Sequence, residues 1–295
     1  MDNAIAKKIQ FRHSLLLLVT ALIWGAAFVA QSVGMDYVGP YTFNAVRFLL
    51  GAVTLTPLVL VRRKTAGFRH TKEDRKLLLK SGILCGVALG ISTNLQQLGI
   101  LYTSVGKAGF LTALYIVLVP VMGIFVGRKA GVKVWAAVVL AMSGLYFLCM
   151  KGGDFSIGRG ELLCILCAFG FTVQIYLIDR YSGKVDGVEL SVLQFLVSAS
   201  ISGILMAAAG EQVTFQMLLD ARVPILYAGI LSCGVAYTLQ IIGQRGLNPA
   251  IASLIMSLES PISVLAGFLV LRQVLSGREL AGCAMMAFAI ILAQI

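Results

Sequence analysis

From Ala250 to Leu271 the chain is a nearly unbroken apolar run, interrupted by a few serines, one carboxylate and one proline. About 20 such residues cross the ~30 Å hydrocarbon layer of a bilayer as a helix, so this stretch is expected to span a membrane. Glu259 then falls close to the midplane, where a charge costs at least ~2.5–3.5 kcal/mol on insertion scales. Shortly after it, Pro261 removes a backbone donor and leaves a carbonyl of the preceding turn without its partner. A carboxylate at that depth beside a kink marks a working site rather than a packing detail.

Comparable runs recur along the whole sequence. Spans are expected at 14–33, 42–61, 77–98, 108–127, 133–150, 160–179, 189–208, 223–243, 250–271 and 277–294, ten in all. Only 13% of the residues are charged, against about 25% in a soluble domain. The chain is therefore an all-α integral membrane protein, with no room for a soluble catalytic or nucleic-acid-binding domain. The start, with Lys7, Lys8 and Arg12 before an apolar run, resembles a signal peptide. A secretory apolar region is only about 7–15 residues long, whereas this one reaches Val33, so it reads as an uncleaved first helix.

Lysine and arginine set the orientation. With the N-terminus in the cytoplasm, 17 of them fall in inside segments and 6 outside, Arg47 lying within a span. Both termini are thus expected to be cytoplasmic, in the plasma (inner) membrane. The net charge of +11 owes much to the basic stretch Arg62–Lys80. Beside a cytoplasmic leaflet, that stretch acts as a topology determinant touching anionic headgroups rather than nucleic acid.

The two halves repeat with an offset of 144–147 residues. Trp24 and Gly25 match Phe169 and Gly170, and Val46–Leu50 matches Leu193–Val197, with Arg47 against Gln194. Ser81–Leu84 matches Ala228–Leu231, and Thr103–Leu114 matches Leu247–Leu258, each followed by a proline, Pro120 or Pro261. Residues 1–150 and 151–295 each carry five spans. An odd number makes the copies enter the membrane in opposite senses, and inverted repeats of this kind mark secondary transporters with a midplane site between the halves.

The WG-x-x-F around Trp24, the Arg47–Phe48 pair, the run Thr103–Tyr115 and the SLESP run around Glu259 resemble the drug/metabolite transporter superfamily, EamA type. The resemblance covers all ten spans. It implies a ten-helix permease with a central cavity lined by helices 1–4 and 6–9, helices 5 and 10 lying to one side. One departure is the spacing SLESP where SLEP is usual, which bears on the face that Glu259 presents.

Other chemistry finds little support. Gly99–Lys107 lacks P-loop spacing and is followed by Ala108, and no HExxH or nucleophile motif is present. Cys164 and Cys167 have CxxC spacing, but a zinc site needs about four ligands and neither His13 nor His70 lies nearby. The cysteines read as small apolar residues on helix faces. Gly82, Gly86 and Gly90, like Gly123 and Gly127, have the spacing that lets helices approach closely.

Polar residues within spans are the informative minority. Asn94 and Gln97 share a helical face, as do Gln240 and Gln244, either to bond neighbouring helices or to line a polar cavity. Trp24, Phe28, Phe110, Tyr115, Tyr176 and Tyr237 could form an aromatic wall able to hold a planar or cationic solute. Arg47 either snorkels to the outer interface or faces the cavity, binding a carboxylate or pairing with Glu259. Glu259 itself is expected to take up and release a proton or to balance a cationic solute.

The expected function is a secondary-active transporter exporting small organic metabolites or drugs by alternating access. The alternative is an importer or exchanger of a specific nutrient such as an amino acid or quaternary amine. A membrane-embedded enzyme would need an interfacial catalytic cluster, which the sequence lacks. The expected partners are a small organic solute, membrane lipids and, in a homodimer, a second copy of the chain; no cofactor, metal or nucleic acid is called for.

Overall fold

The computed structural model describes residues 3–65, 71–103, 105–128, 130–149, 158–271 and 276–294. The helices are α1 (Asn3–Gly34), α2 (Pro40–Thr65), α3 (Lys72–Tyr102), α4 (Val105–Thr112), α5 (Tyr115–Val126), α6 (Val132–Cys149) and α7 (Arg159–Tyr181). They continue with α8 (Gly187–Ala209), α9 (Phe215–Asp220), α10 (Arg222–Leu226), a π-helical segment (Tyr227–Tyr237), α11 (Thr238–Gly243), α12 (Pro249–Met256), α13 (Glu259–Leu271) and α14 (Gly277–Gln294). The described residues contain no strand. Among them, eight stretches are long and apolar enough to cross a membrane, and a further apolar stretch, Val132–Phe147, is shorter. The expected boundary at 150, together with Arg69, His70, Lys129, Lys151 and Arg272, lies outside the described residues.

Three expected spans are interrupted. The span 108–127 breaks between α4 and α5, where Leu114 N–H reaches back to Leu111 O and Ile116 N–H to Ala113 O. The span 250–271 breaks between α12 and α13. There Leu258 N–H bonds Ile255 O, Ser260 N–H bonds Ser257 O, and the Ser257 hydroxyl donates to Leu254 O at 2.7 Å. These three-residue bonds tighten the turn and close the first half-helix. The break therefore precedes Pro261 instead of arising from it. Pro261 lies in the first turn of α13, where its missing donor has no intrahelical acceptor to lose. The third interruption is the π-helical segment within 223–243.

The basic stretch Arg62–Lys80 is largely helix. α2 runs on to Thr65, and α3 starts at Lys72 behind a capping box: Thr71 Oγ1 accepts from Asp74 N–H at 3.1 Å, and Thr71 N–H donates to the Asp74 carboxylate at 3.0 Å. Such a cap satisfies donors that the first turn leaves open.

α3 packs along α7 and α8, α2 along α8 and the π-helical segment, and α1 along α13, the π-helical segment and α11, while α6 pairs with α14. The close approach of α3 to α8 depends on Gly82, Gly86 and Gly90. A Cβ at Gly86 would lie 2.6 Å from Val197 Cβ and 2.8 Å from the Gln194 carbonyl oxygen. Antiparallel α2 and α8 are tied at both ends. At one end Arg62 pairs with Asp186 at 3.0 Å and Arg63 with Glu189 at 2.7 Å. At the other, Glu211 accepts from Tyr41 N–H, Thr42 N–H and the Thr42 hydroxyl at 3.1, 2.8 and 2.7 Å. A carboxylate there offsets the positive end of the helix dipole. The interrupted helices meet inside the bundle these ties hold together.

Candidate functional site

At the centre lies a narrow cavity with about 40 Å³ of room for solvent. α1 turns Trp24, Ala27, Phe28 and Gln31 towards it, a spacing of three, four and seven residues that marks one face of an α-helix. α7 contributes Phe171, Gln174 and Ile175 by the same rule. Ser232 and Tyr237 are five residues apart, a separation that an α-helix would splay. The π-helical segment, whose hydrogen bonds run from i to i+5, brings both to the cavity.

Arg47 of α2 lines the cavity and is only 2% exposed. Its Nε and Nη2 are buried without a hydrogen-bond partner, and no carboxylate pairs with it among the described residues. The guanidinium rests on the rings of Phe48 and Phe43, 5.0 and 5.8 Å from their centroids, an attraction worth about 0.5–2 kcal/mol. Nε and Nη2 form one edge of the guanidinium, the fork that fits the two oxygens of a carboxylate.

Glu259 is 6% exposed and opens α13, as Tyr115 opens α5. The Tyr115 hydroxyl donates to Glu259 Oε1 at 3.2 Å, so the two helix breaks are joined across the cavity. Trp24 and Tyr237 pack with ring centroids 4.7 Å apart. Gln174 and Gln240 exchange side-chain amide bonds of 3.4 and 3.2 Å.

Of the residues singled out in the sequence, Trp24, Phe28, Arg47, Tyr115, Tyr237, Gln240 and Glu259 surround this cavity. The other five are elsewhere, Gln244 among them with its side-chain amide buried and without a hydrogen-bond partner. Asn94 donates to Gly90 O and Ser202 Oγ and accepts from Asn44, tying α2, α3 and α8 together. Gln97 reaches the Gln31 carbonyl at 3.4 Å. The Tyr176 hydroxyl donates to Val119 O at 2.7 Å, and Phe110 packs in the apolar cluster around α5 and α6. Gln31, Gln96, Thr112, Phe171, Gln174 and Ser232 join the lining instead. The seven-residue spacing from Trp24 could have found Gln31; nothing in the sequence announced the π-helical turn that brings in Ser232.

The Cys167 thiol donates to Cys164 O at 3.0 Å and lies 3.5 Å from Thr112 Oγ1. Among the described residues no three His, Cys, Asp or Glu side chains cluster as metal ligands would.

Residues 12–150 and 158–294 each match the model of the EamA-like transporter family. An uncharacterized transporter of Archaeoglobus fulgidus is 28% identical over 284 residues, covering 95% of this chain and 84% of that protein. The threonine/homoserine exporter RhtA of Escherichia coli (strain K12) is 28% identical over 268 residues, covering 90% and 85%. A solved crystal structure superposes with a TM-score of 0.78 over 96% of both chains at 19% identity, a likeness of fold. With both halves matched, the chain belongs to the EamA-like transporter family.

Proposed function

We propose that the protein is a secondary-active exporter of small zwitterionic solutes of the amino-acid class, working by alternating access. The observation that carries this reading is a buried cation and a buried carboxylate, Arg47 and Glu259, lining one cavity without pairing to each other. A buried cation without a partner costs several kcal/mol, which a solute carboxylate relieves, while Glu259 supplies the carboxyl group that the same solute's ammonium needs. Its carboxylate takes the open Nε/Nη2 edge of Arg47. Its ammonium takes Glu259, with Trp24 and Tyr237 adding ring faces that favour a cation. The likeness to a threonine/homoserine exporter supports the class and the outward direction.

The architecture in this proposal is ten helices in two inverted repeats, 1–150 and 151–295, in the inner membrane with both termini cytoplasmic. Helix pairing supports it: α3 against α7 corresponds to the π-helical segment and α11 against α1, and α2 with α8 and α6 with α14 pair corresponding helices. So does the doubled family match. Contacts between loops agree as well. Arg62–Asp186 and Arg128–Asp179 join segments assigned to the cytoplasmic side; Glu211 on Thr42 and Arg159 over the Tyr102 ring join segments assigned outside.

Glu259 couples the cycle in this reading, holding a proton when the ammonium is absent and releasing it when the solute binds. The test uses proteoliposomes loaded with L-threonine under an imposed pH gradient. Transport against a concentration gradient should occur in the unaltered protein and vanish in Glu259→Gln, while threonine exchange without a gradient survives. Gradient-driven transport that persists in Glu259→Gln removes the coupling role; no threonine movement by the unaltered protein removes the amino-acid class.

A further inference from the structure

Four glutamines line the cavity, and they are not equally satisfied. Gln174 and Gln240 close on each other through two amide bonds. Gln31 does not: its Oε1 is buried and without a partner, on a side chain only 5% exposed. Gln96 reaches Thr112 Oγ1 at a long 3.5 Å. A buried amide oxygen left without a donor costs about 1–3 kcal/mol, and an empty acceptor on a cavity wall is where a ligand donor gains most.

Its position separates it from the charged pair's ends. Gly25 packs against the Glu259 carbonyl, and Gln31 lies further along α1 by about 9 Å at ~1.5 Å per residue. Its buried open atom is the amide oxygen, an acceptor, and an acceptor repels the solute carboxylate, which belongs to Arg47. We propose that Gln31 is the specificity-determining residue of the cavity, its side-chain oxygen accepting a hydrogen bond from a hydroxyl or amide on the solute's side chain. This rests on the reading of the cavity as an amino-acid site. Carboxylate on Arg47, ammonium on Glu259 and side-chain donor on Gln31 then make three points of attachment. Gln174 and Gln240, paired with each other, leave no such open acceptor.

A site built to hydrogen-bond a solute hydroxyl discriminates strongly against the analogue that lacks it, because the buried acceptor stays unpaired. L-Threonine and L-valine are a matched pair, a hydroxyl in one replacing a methyl in the other. Binding of each to the purified full-length protein in detergent, followed by calorimetry, should favour threonine by about tenfold or more. Gln31→Met keeps the length of the side chain and removes the acceptor. It should bring the two affinities together, threonine losing and valine retaining its binding. Should Met at this position not fold, Gln31→Asn withdraws the acceptor by one methylene and should narrow the preference in the same direction. Equal binding of both amino acids by the unaltered protein overturns the subsite alone, as does a preference that persists in the folded variant. Loss of both ligands by a folded variant overturns it too, since the amide would then serve an end that both share. Binding of neither amino acid by the unaltered protein overturns the amino-acid reading beneath it.

Discussion

Arg47 is buried and supplied by the protein with ring faces but, among the described residues, no counter-ion. A residue kept in that state weakens the empty protein, a cost that the proposed solute carboxylate would offset. Replacing buried ions by apolar side chains of similar size is often stabilising by about 1–4 kcal/mol. Arg47→Met should therefore raise the unfolding temperature of the ligand-free protein while transport is lost, and a thermal melt beside a proteoliposome assay measures both. Arg47→Lys keeps the charge but not the fork. A bidentate, charge-assisted bond is worth about 1.5–3 kcal/mol, so half-saturation for L-threonine should rise about tenfold to a hundredfold. An unchanged value would mean that charge alone is read at this position. The sequence named Arg47 through its depth in a span, and left open whether it snorkels outward; burial on the cavity wall is a fact of packing. The same limit explains Tyr176. On α7 it is two residues from Gln174, about 200° around a helix of 3.6 residues per turn, so Gln174 meets the cavity while Tyr176 bonds Val119 on α5.

Elements here are shaped by what they must let past. α3 and α8 approach so closely that the glycine stripe of α3 sits directly on α8 backbone and side chains. Gly86→Ala should destabilise the protein by about 1–3 kcal/mol, the usual cost of overpacking. Gly203→Ala, on the neighbouring helix with nothing within 4 Å of the added Cβ, should be neutral or slightly stabilising through helix propensity. Thermal unfolding in detergent compares the two, and equal effects would show that α3 and α8 have slack between them. The GxxxG spacing in the sequence announced this contact but not its partner. The breaks between α4 and α5 and between α12 and α13 were less legible. Pro120 and Pro261 pointed to the right helices, yet the interruptions come earlier, at Ala113–Leu114 and Ser257–Leu258, set by tightened turns and serine back-bonds. Their consequence is geometric: α5 and α13 both begin at the cavity, with Tyr115 and Glu259 bonded to each other.

For the whole molecule, the proposed topology puts Tyr37 outside and Gly183 inside, and both are exposed. In intact cells, an impermeant thiol reagent should label Tyr37→Cys and spare Gly183→Cys until the membrane is opened. The reverse pattern would invert the topology, and labelling of both from outside would break it. Among the described side chains, the native thiols Cys85, Cys164, Cys167 and Cys233 are buried and Cys283 is half-buried; the sixth, Cys149, is replaced by serine in both variants to keep background low. The amino-acid sequence by itself determined that this chain is a bundle of membrane-crossing helices and a transporter in two similar halves. Hydrocarbon demands that every backbone bond be made within a helix, so run length and composition point to the spans, and eight of the ten expected are long and apolar enough among the described residues. Only the tertiary structure decided which side chains share the cavity. That depends on the rotation of each helix, on the π-helical turn that aligns Ser232 with Tyr237, and on the contact between two helix breaks far apart in the chain. None of these changes the length or polarity of a span, and so none leaves a mark in the pattern from which spans are read.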